Sequence, residues 1–244
     1  MDLKLNIFPA EQEVLMGIAE YFVETANQSI GKQGFFNVSL SGGTSPKKLY
    51  QLLTTPEYRR QLDWAKVYFF FGDERYVPQN SPDSNFLMVK TALFDPLQIA
   101  ADHIFDVNTS LSPEAAAADY ADQINTHFKN EKVCFDLILL GLGDNSHTAS
   151  LFPHTTVLAE KEATIKAVFL DDQHVFRITK TAKMINQAQH IAFLLFGAGK
   201  AEAVKHVLED PSDIEEYPSQ LIKPENGDVQ WFMDEAAAAL LQHK

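Results

Sequence analysis

With one cysteine in 244 residues, Cys134, the chain cannot close an intramolecular disulfide. The thiol falls within the apolar run Val133 to Leu140, where a free cysteine packs as a small hydrophobe. No run approaches the roughly 18 apolar residues that a membrane span requires. Met1 to Pro9 alternates charged and apolar side chains without a basic start or a long apolar stretch. No signal peptide is therefore expected, and the expected compartment is cytoplasmic. Basic tracts are missing too, and the net charge is −13, which argues against a nucleic-acid partner because polyphosphate must be neutralised by clustered Lys and Arg. There is no fixed-period repeat and no Pro-, Gly- or Ser-rich linker, so one domain over residues 1–244 is the expectation. No Cys or His spacing matches a zinc site, and no metal is expected.

What is present is alternation. Short apolar runs bounded by Gly, Asp or Ser are separated by longer segments of helical periodicity. That pattern predicts an α/β fold with a mostly parallel central sheet flanked by helices. The expected strands are Leu3 to Phe8, Phe35 to Leu40, Val67 to Phe71, Phe135 to Leu140, Thr164 to Leu170 and Ile191 to Phe196. Val14, Ile18, Phe22 and Ala26 recur at helical spacing, as do Ala201, Val204 and Leu208. Further helices are expected over Pro46 to Leu53, Asn85 to Leu93, Pro113 to Phe128 and Asp234 to Leu241, each opened by a start signal. In open sheets of this kind ligands bind outside the carboxyl ends of the strands.

Polar, chemically loaded segments fall at those ends. The first is Ser41-Gly42-Gly43-Thr44-Ser45-Pro46, where two glycines let backbone amides approach a ligand and Ser41 and Thr44 offer hydroxyls, a combination suited to phosphate. It is neither a nucleotide P-loop nor a dinucleotide fingerprint, so no cofactor is expected. The second is Gly72-Asp73-Glu74-Arg75, followed by Ser84-Asn85. Arg75 there could clamp an anion, with Asp73 or Glu74 fixing its guanidinium, while Asn85 also reads as a plain helix N-cap. The third is Gly141-Leu142-Gly143-Asp144-Asn145-Ser146-His147, in which His147 is the best acid/base candidate because imidazole exchanges protons near neutral pH. His154 is its nearest understudy. Lys200, in the turn Gly197-Ala198-Gly199-Lys200, and Arg177 are candidate anion contacts.

Taken in order, these pieces, with His147-Thr148-Ala149-Ser150-Leu151-Phe152-Pro153, resemble the signature set of the 6-phosphogluconolactonase family and its glucosamine-6-phosphate isomerase/deaminase relatives. The resemblance runs from Ser39 to about Ala203. It implies an isomerase-type, Rossmann-like sandwich and a small-molecule sugar-phosphate lactone as substrate, 6-phospho-D-glucono-1,5-lactone of the oxidative pentose phosphate pathway. It also implies that Ser41, Gly42, Gly43 and Thr44, with Arg177 and Lys200, hold the phosphate while His147 and Arg75 face the lactone. The chain departs from the pattern at one point: Asn145-Ser146 stands where the family usually has Asp-Gly before the histidine. Asn145 can orient the imidazole but brings no charge, Asp144 is the nearest carboxylate that could compensate, and losing the glycine matters only if position 146 requires φ > 0. Two other readings use the same phosphate cradle: an amino sugar phosphate deaminase or isomerase, and a non-catalytic sugar-phosphate sensor. Thr148 to Pro153 matches the lactonase form, and no helix-turn-helix precedes the domain as a sensor would need.

Overall fold

A computed structural model describes residues 2–242. Its strands are β1 (Asp2–Phe8), β2 (Phe36–Leu40), β3 (Val67–Phe71), β4 (Asp73–Arg75), β5 (Leu137–Leu140), β6 (Ile165–Leu170), β7 (Val175–Lys180), β8 (His190–Leu194) and β9 (Asp228–Asp234). The principal helices are α1 (Glu11–Gln33), α2 (Thr44–Leu53), α4 (Asn85–Val89), α6 (Pro113–His127) and α8 (Ala201–Leu208). Short helical turns form α3 (Pro56–Arg59), α5 (Asp95–Leu97) and α7 (Ala182–Ile185).

Six strands form a parallel sheet in the order β1-β9-β8-β5-β2-β3. Its central members are apolar on both faces because helices cover both. Successive side chains point to opposite sides. Phe69, Phe71, Leu137 and Leu139 therefore pack with Val14, Ile18 and Phe22 of α1 and Leu49 and Leu53 of α2. Phe70, Ile138 and Leu140 pack the other way, with Tyr120 and Ile124 of α6 and Val204 of α8. Helix α1 stops at Gly34, whose φ of 92° is open to glycine and whose N–H closes on the Ile30 carbonyl.

The connectivity creates the crevice. From β2 the chain crosses outward to β3, whereas from β5 it crosses the opposite way to β8, so the loops leaving the neighbours β2 and β5 diverge. A second, antiparallel sheet of order β4-β7-β6 hangs over that rim. Gly72 is the joint: its N–H donates to Leu40 O of the main sheet, and its carbonyl accepts from Lys180 N of β7.

The structure changes several expectations. The run Thr164 to Leu170 forms β6 of the small sheet, not a strand of the parallel one. Asp234 to Leu241 is not a helix. Strand β9 continues to Asp234, whose carboxylate accepts from the amides of Gly197 and Ala237 and turns the chain, and the alanines that follow are held by packing, with Ala237 and Ala238 fully buried. Asn85 to Leu93 is helical only to Val89 and then opens into wider π-type turns over Lys90–Phe94. Strands β4, β7 and β9 are additions. No helix among the described residues is long and apolar enough to cross a membrane.

Candidate active site

The glycine loop is fixed from below by Tyr50, a buried residue of α2. Its hydroxyl accepts from Ser41 N (3.0 Å) and donates to Ser41 O (2.7 Å), which sets the backbone where β2 ends. Gly42 lies so close to Asn85 that a Cβ there would stand 2.0 Å from Asn85 Oδ1. Gly43 has φ 102° and leads directly into α2. The first turn of α2 has neither a side-chain cap nor an acidic residue, so its amide groups are left to an anion.

On the second loop, Asp73 is buried and its Oδ2 accepts a 2.7 Å hydrogen bond from Ser150 Oγ. Glu74 turns away from the crevice and accepts from the backbone N–H groups of Asn85 (2.7 Å), Phe86 (2.8 Å) and Arg75 (2.8 Å). Burial pushes its carboxyl up to about 7 against the pull of those three donors. Neither acid fixes Arg75, contrary to expectation; its guanidinium donates to the Asp83 carbonyl at 2.9 Å. The N-cap of α4 is Ser84, which accepts from Leu87 N, and not Asn85. Asn85 instead donates to Asp73 O at 3.0 Å, and its buried Oδ1 finds no partner among the described residues.

The third loop presents His147. Its Nδ1–H donates to Asn145 Oδ1 at 2.5 Å, which selects the tautomer with Nε2 bare. The ring stacks on Phe152, centroids 4.0 Å apart and planes 18° from parallel. Beneath it, a Cβ on Gly143 would fall 2.0 Å from Nδ1, so glycine is demanded there by close approach. Position 146 does require a left-handed backbone: Ser146 has φ 61°. Burial drives the imidazole down to about 4; Asp73 is the strongest opposing charge, Lys200 and Arg177 push further down, and Asp144 pulls weakly up. Asp144 does not take the place of a carboxylate at 145, because it pairs with Lys200 at 2.6 Å.

These pieces meet around one cleft of about 180 Å³. Ser41, Gly42 and Gly43 line it from the first loop, Asp73, Arg75 and Asn85 from the second, His147 from the third, and Arg177 from β7. Arg75 and Arg177 stand directly opposite each other in the β4–β7 register. Among the described residues, no carboxylate forms an ion pair with either guanidinium; Arg177 reaches only Gln173 Oε1, at 3.4 Å. Three expected residues stay off the lining. Thr44 is exposed at the start of α2, Asn145 sits behind the imidazole, and Lys200 is turned to Asp144. His154 pairs with Glu216 and is not a lining residue. Tyr50 carries no individual signal in the sequence, and Ser150 none beyond its membership of the histidine segment. Among the described residues, no cluster of three or more His, Cys, Asp or Glu could hold a metal ion.

Comparison with known proteins bears on the family and the fold. Residues 9–231 match the family model described as glucosamine-6-phosphate isomerases/6-phosphogluconolactonase. The chain is 35% identical over 236 residues to a 6-phosphogluconolactonase of Haemophilus influenzae, covering 96% of this chain and 98% of that protein. It is 36% identical over 245 residues to one of Nostoc sp., covering 99% of each. The solved 6-phosphogluconolactonase from Trypanosoma cruzi superposes with a TM-score of 0.89 at 27% identity, covering 100% of this chain and 99% of that one. The chain therefore belongs to the glucosamine-6-phosphate isomerase/6-phosphogluconolactonase family.

Proposed function

We propose that this protein is a lactone hydrolase that converts 6-phospho-D-glucono-1,5-lactone to 6-phosphogluconate in the oxidative pentose phosphate pathway. The observation that carries the reading is one imidazole with a bare Nε2 sharing a small cleft with two guanidiniums that form no ion pair among the described residues. The relatives named 6-phosphogluconolactonase, matched along nearly their whole length, support the lactone over an amino sugar as substrate.

The two cations resolve the charge problem. A net charge of −13 repels an anionic substrate at long range, but Arg75 and Arg177 focus positive potential inside the cleft. The phosphate is assigned to Arg177 and the uncapped first turn of α2 beyond Gly43, with Lys200 adjacent once it releases Asp144. The lactone carbonyl then lies toward His147 and Arg75. His147 Nε2 takes a proton from water as the water oxygen attacks C1, and Arg75 stabilises the oxyanion of the tetrahedral intermediate. When the bond from C1 to the ring oxygen breaks, the imidazolium returns its proton to that oxygen. Asn145 holds the ring in the required tautomer, so lacking a carboxylate does not disable the geometry.

The test is lactone hydrolysis by His147→Ala against the spontaneous background. A fall of about 100-fold or more in kcat is expected, in line with the loss of a general base. Undiminished turnover by the variant discards the assignment.

A further inference from the structure

We propose that Asp73, held in place by Ser150, supplies the negative charge that stabilises His147 as an imidazolium during turnover, a task that residue 145 of the histidine's own loop does not perform. The proposal rests on the assignment of His147 as the base and adds how its protonated form is held.

The residue touching His147 Nδ1 is neutral. Asn145 accepts the Nδ1–H bond and fixes the tautomer, but a carboxamide gives a newly formed imidazolium only a dipole. The charged groups facing the imidazole come from four elements: Asp73 on β4, Arg177 on β7, Lys200 in the turn before α8, and Asp144 on its own loop. Lys200 and Asp144 neutralise each other at 2.6 Å. Arg177 opposes protonation of the ring. That leaves Asp73 as the anion able to balance the proton His147 receives, and it lines the same cleft.

The surroundings of Asp73 fit that work. It is 9% exposed, so its field is weakly screened by solvent. None of the described residues forms an ion pair with it, although its field also reaches Arg177 in the same cleft. Ser150, 1% exposed, donates Oγ–H to Asp73 Oδ2 at 2.7 Å, which fixes the direction of the carboxylate. Ser150 is fixed in turn by its N–H bond to Thr179 Oγ1 at 3.2 Å, and Thr179 pairs with Asp73 across the small sheet. Thr179 and Ser150 thus hold the Asp73 carboxylate at the cleft that His147 also lines. Ser150 and Asp73 act through His147 and are positioning residues.

The test is the pH profile of lactone hydrolysis. In Asp73→Asn the acid limb of kcat/KM should move to lower pH by roughly half to one unit, and kcat should fall about tenfold or more with little change in KM. Ser150→Ala should move both in the same direction by less. Asn145→Asp should move the limb to higher pH, because it adds the missing charge, and should soften the effect of Asp73→Asn in the double variant. If Asp73→Asn does not fold, as judged by its thermal transition, Ser150→Ala and Asn145→Asp carry the test. An unmoved acid limb in Asp73→Asn, or a change in KM alone, overturns the proposal. Such a result leaves the assignment of His147 intact so long as His147→Ala is inactive; an active His147→Ala removes the assignment itself.

Discussion

Ser146→Gly should make the protein more stable, which is unusual for a substitution that deletes a buried side chain. Ser146 is 1% exposed, has φ 61°, and its Oγ has no hydrogen-bond partner among the described residues. Holding an L-residue in the left-handed region costs roughly 1–2 kcal/mol. A buried hydroxyl without a partner adds about 1–3 kcal/mol. Against these, glycine gives the unfolded chain extra freedom worth roughly 0.5–1 kcal/mol, and a little packing is lost. The tie that anchors this turn survives, because Ser219 donates both N–H (3.0 Å) and Oγ–H (2.7 Å) to the backbone carbonyl of residue 146. These terms leave a net gain of about 1–4 kcal/mol. At its lower end, about 1 kcal/mol, a chain of this size gains roughly 2–4 °C in Tm in a thermal scan. An unchanged or lower Tm refutes the strain argument.

The acid limb of kcat/KM should fall near pH 4 to 5 in place of the ordinary histidine value of 6.5, because burial depresses His147 to about 4 and keeps it a neutral base well into acid; a limb at 6.5 or above contradicts this. Lys180 is fully buried with Nζ unpartnered among the described residues, 4.3 Å from the ring centroid of Phe135 and 5.3 Å from that of Tyr120, and burial drives its amine well below the usual range. The unfolded chain therefore binds the proton more readily than the folded one. Stability should fall as pH drops below the unfolded lysine value near 10.4, by about 1.4 kcal/mol per unit until the folded amine also protonates. Lys180→Met should raise stability at neutral pH and flatten that dependence in urea titrations at several pH values; a less stable variant refutes it. Gly143→Ala should place a methyl where the imidazole lies and lower kcat by about 100-fold while a cooperative thermal transition is kept, since misplacement of an acting group by about 1 Å has that effect.

The sequence made the parallel sheet and its loaded loops legible because buried strands such as Phe69 to Phe71 and Leu137 to Leu140 are apolar on both faces and end abruptly in Gly, Ser or Asp. Strand β9 was hidden because Asp228–Asp234 mixes polar and apolar residues, and β4 because it is only three residues long. The alanines after Asp234 read as helix formers by intrinsic propensity, which the carboxylate turn and close packing override. Within the site, residue types announced His147, Arg75 and the glycine pair. Partnerships were not legible: Asp73 and Ser150 are 77 positions apart, and their contact exists only because β4 and β7 pair over the rim. The pairing of Asp144 with Lys200, and the turn of Glu74 toward α4, are likewise products of the fold.

A crystal structure of the protein with 6-phosphogluconate tests where the two ends of the substrate lie in the cleft. The phosphate should lie against Arg177 and the start of α2, and C1 within hydrogen-bond reach of His147 Nε2. A product molecule seated outside this cleft, or reversed with its phosphate beside the imidazole, contradicts it.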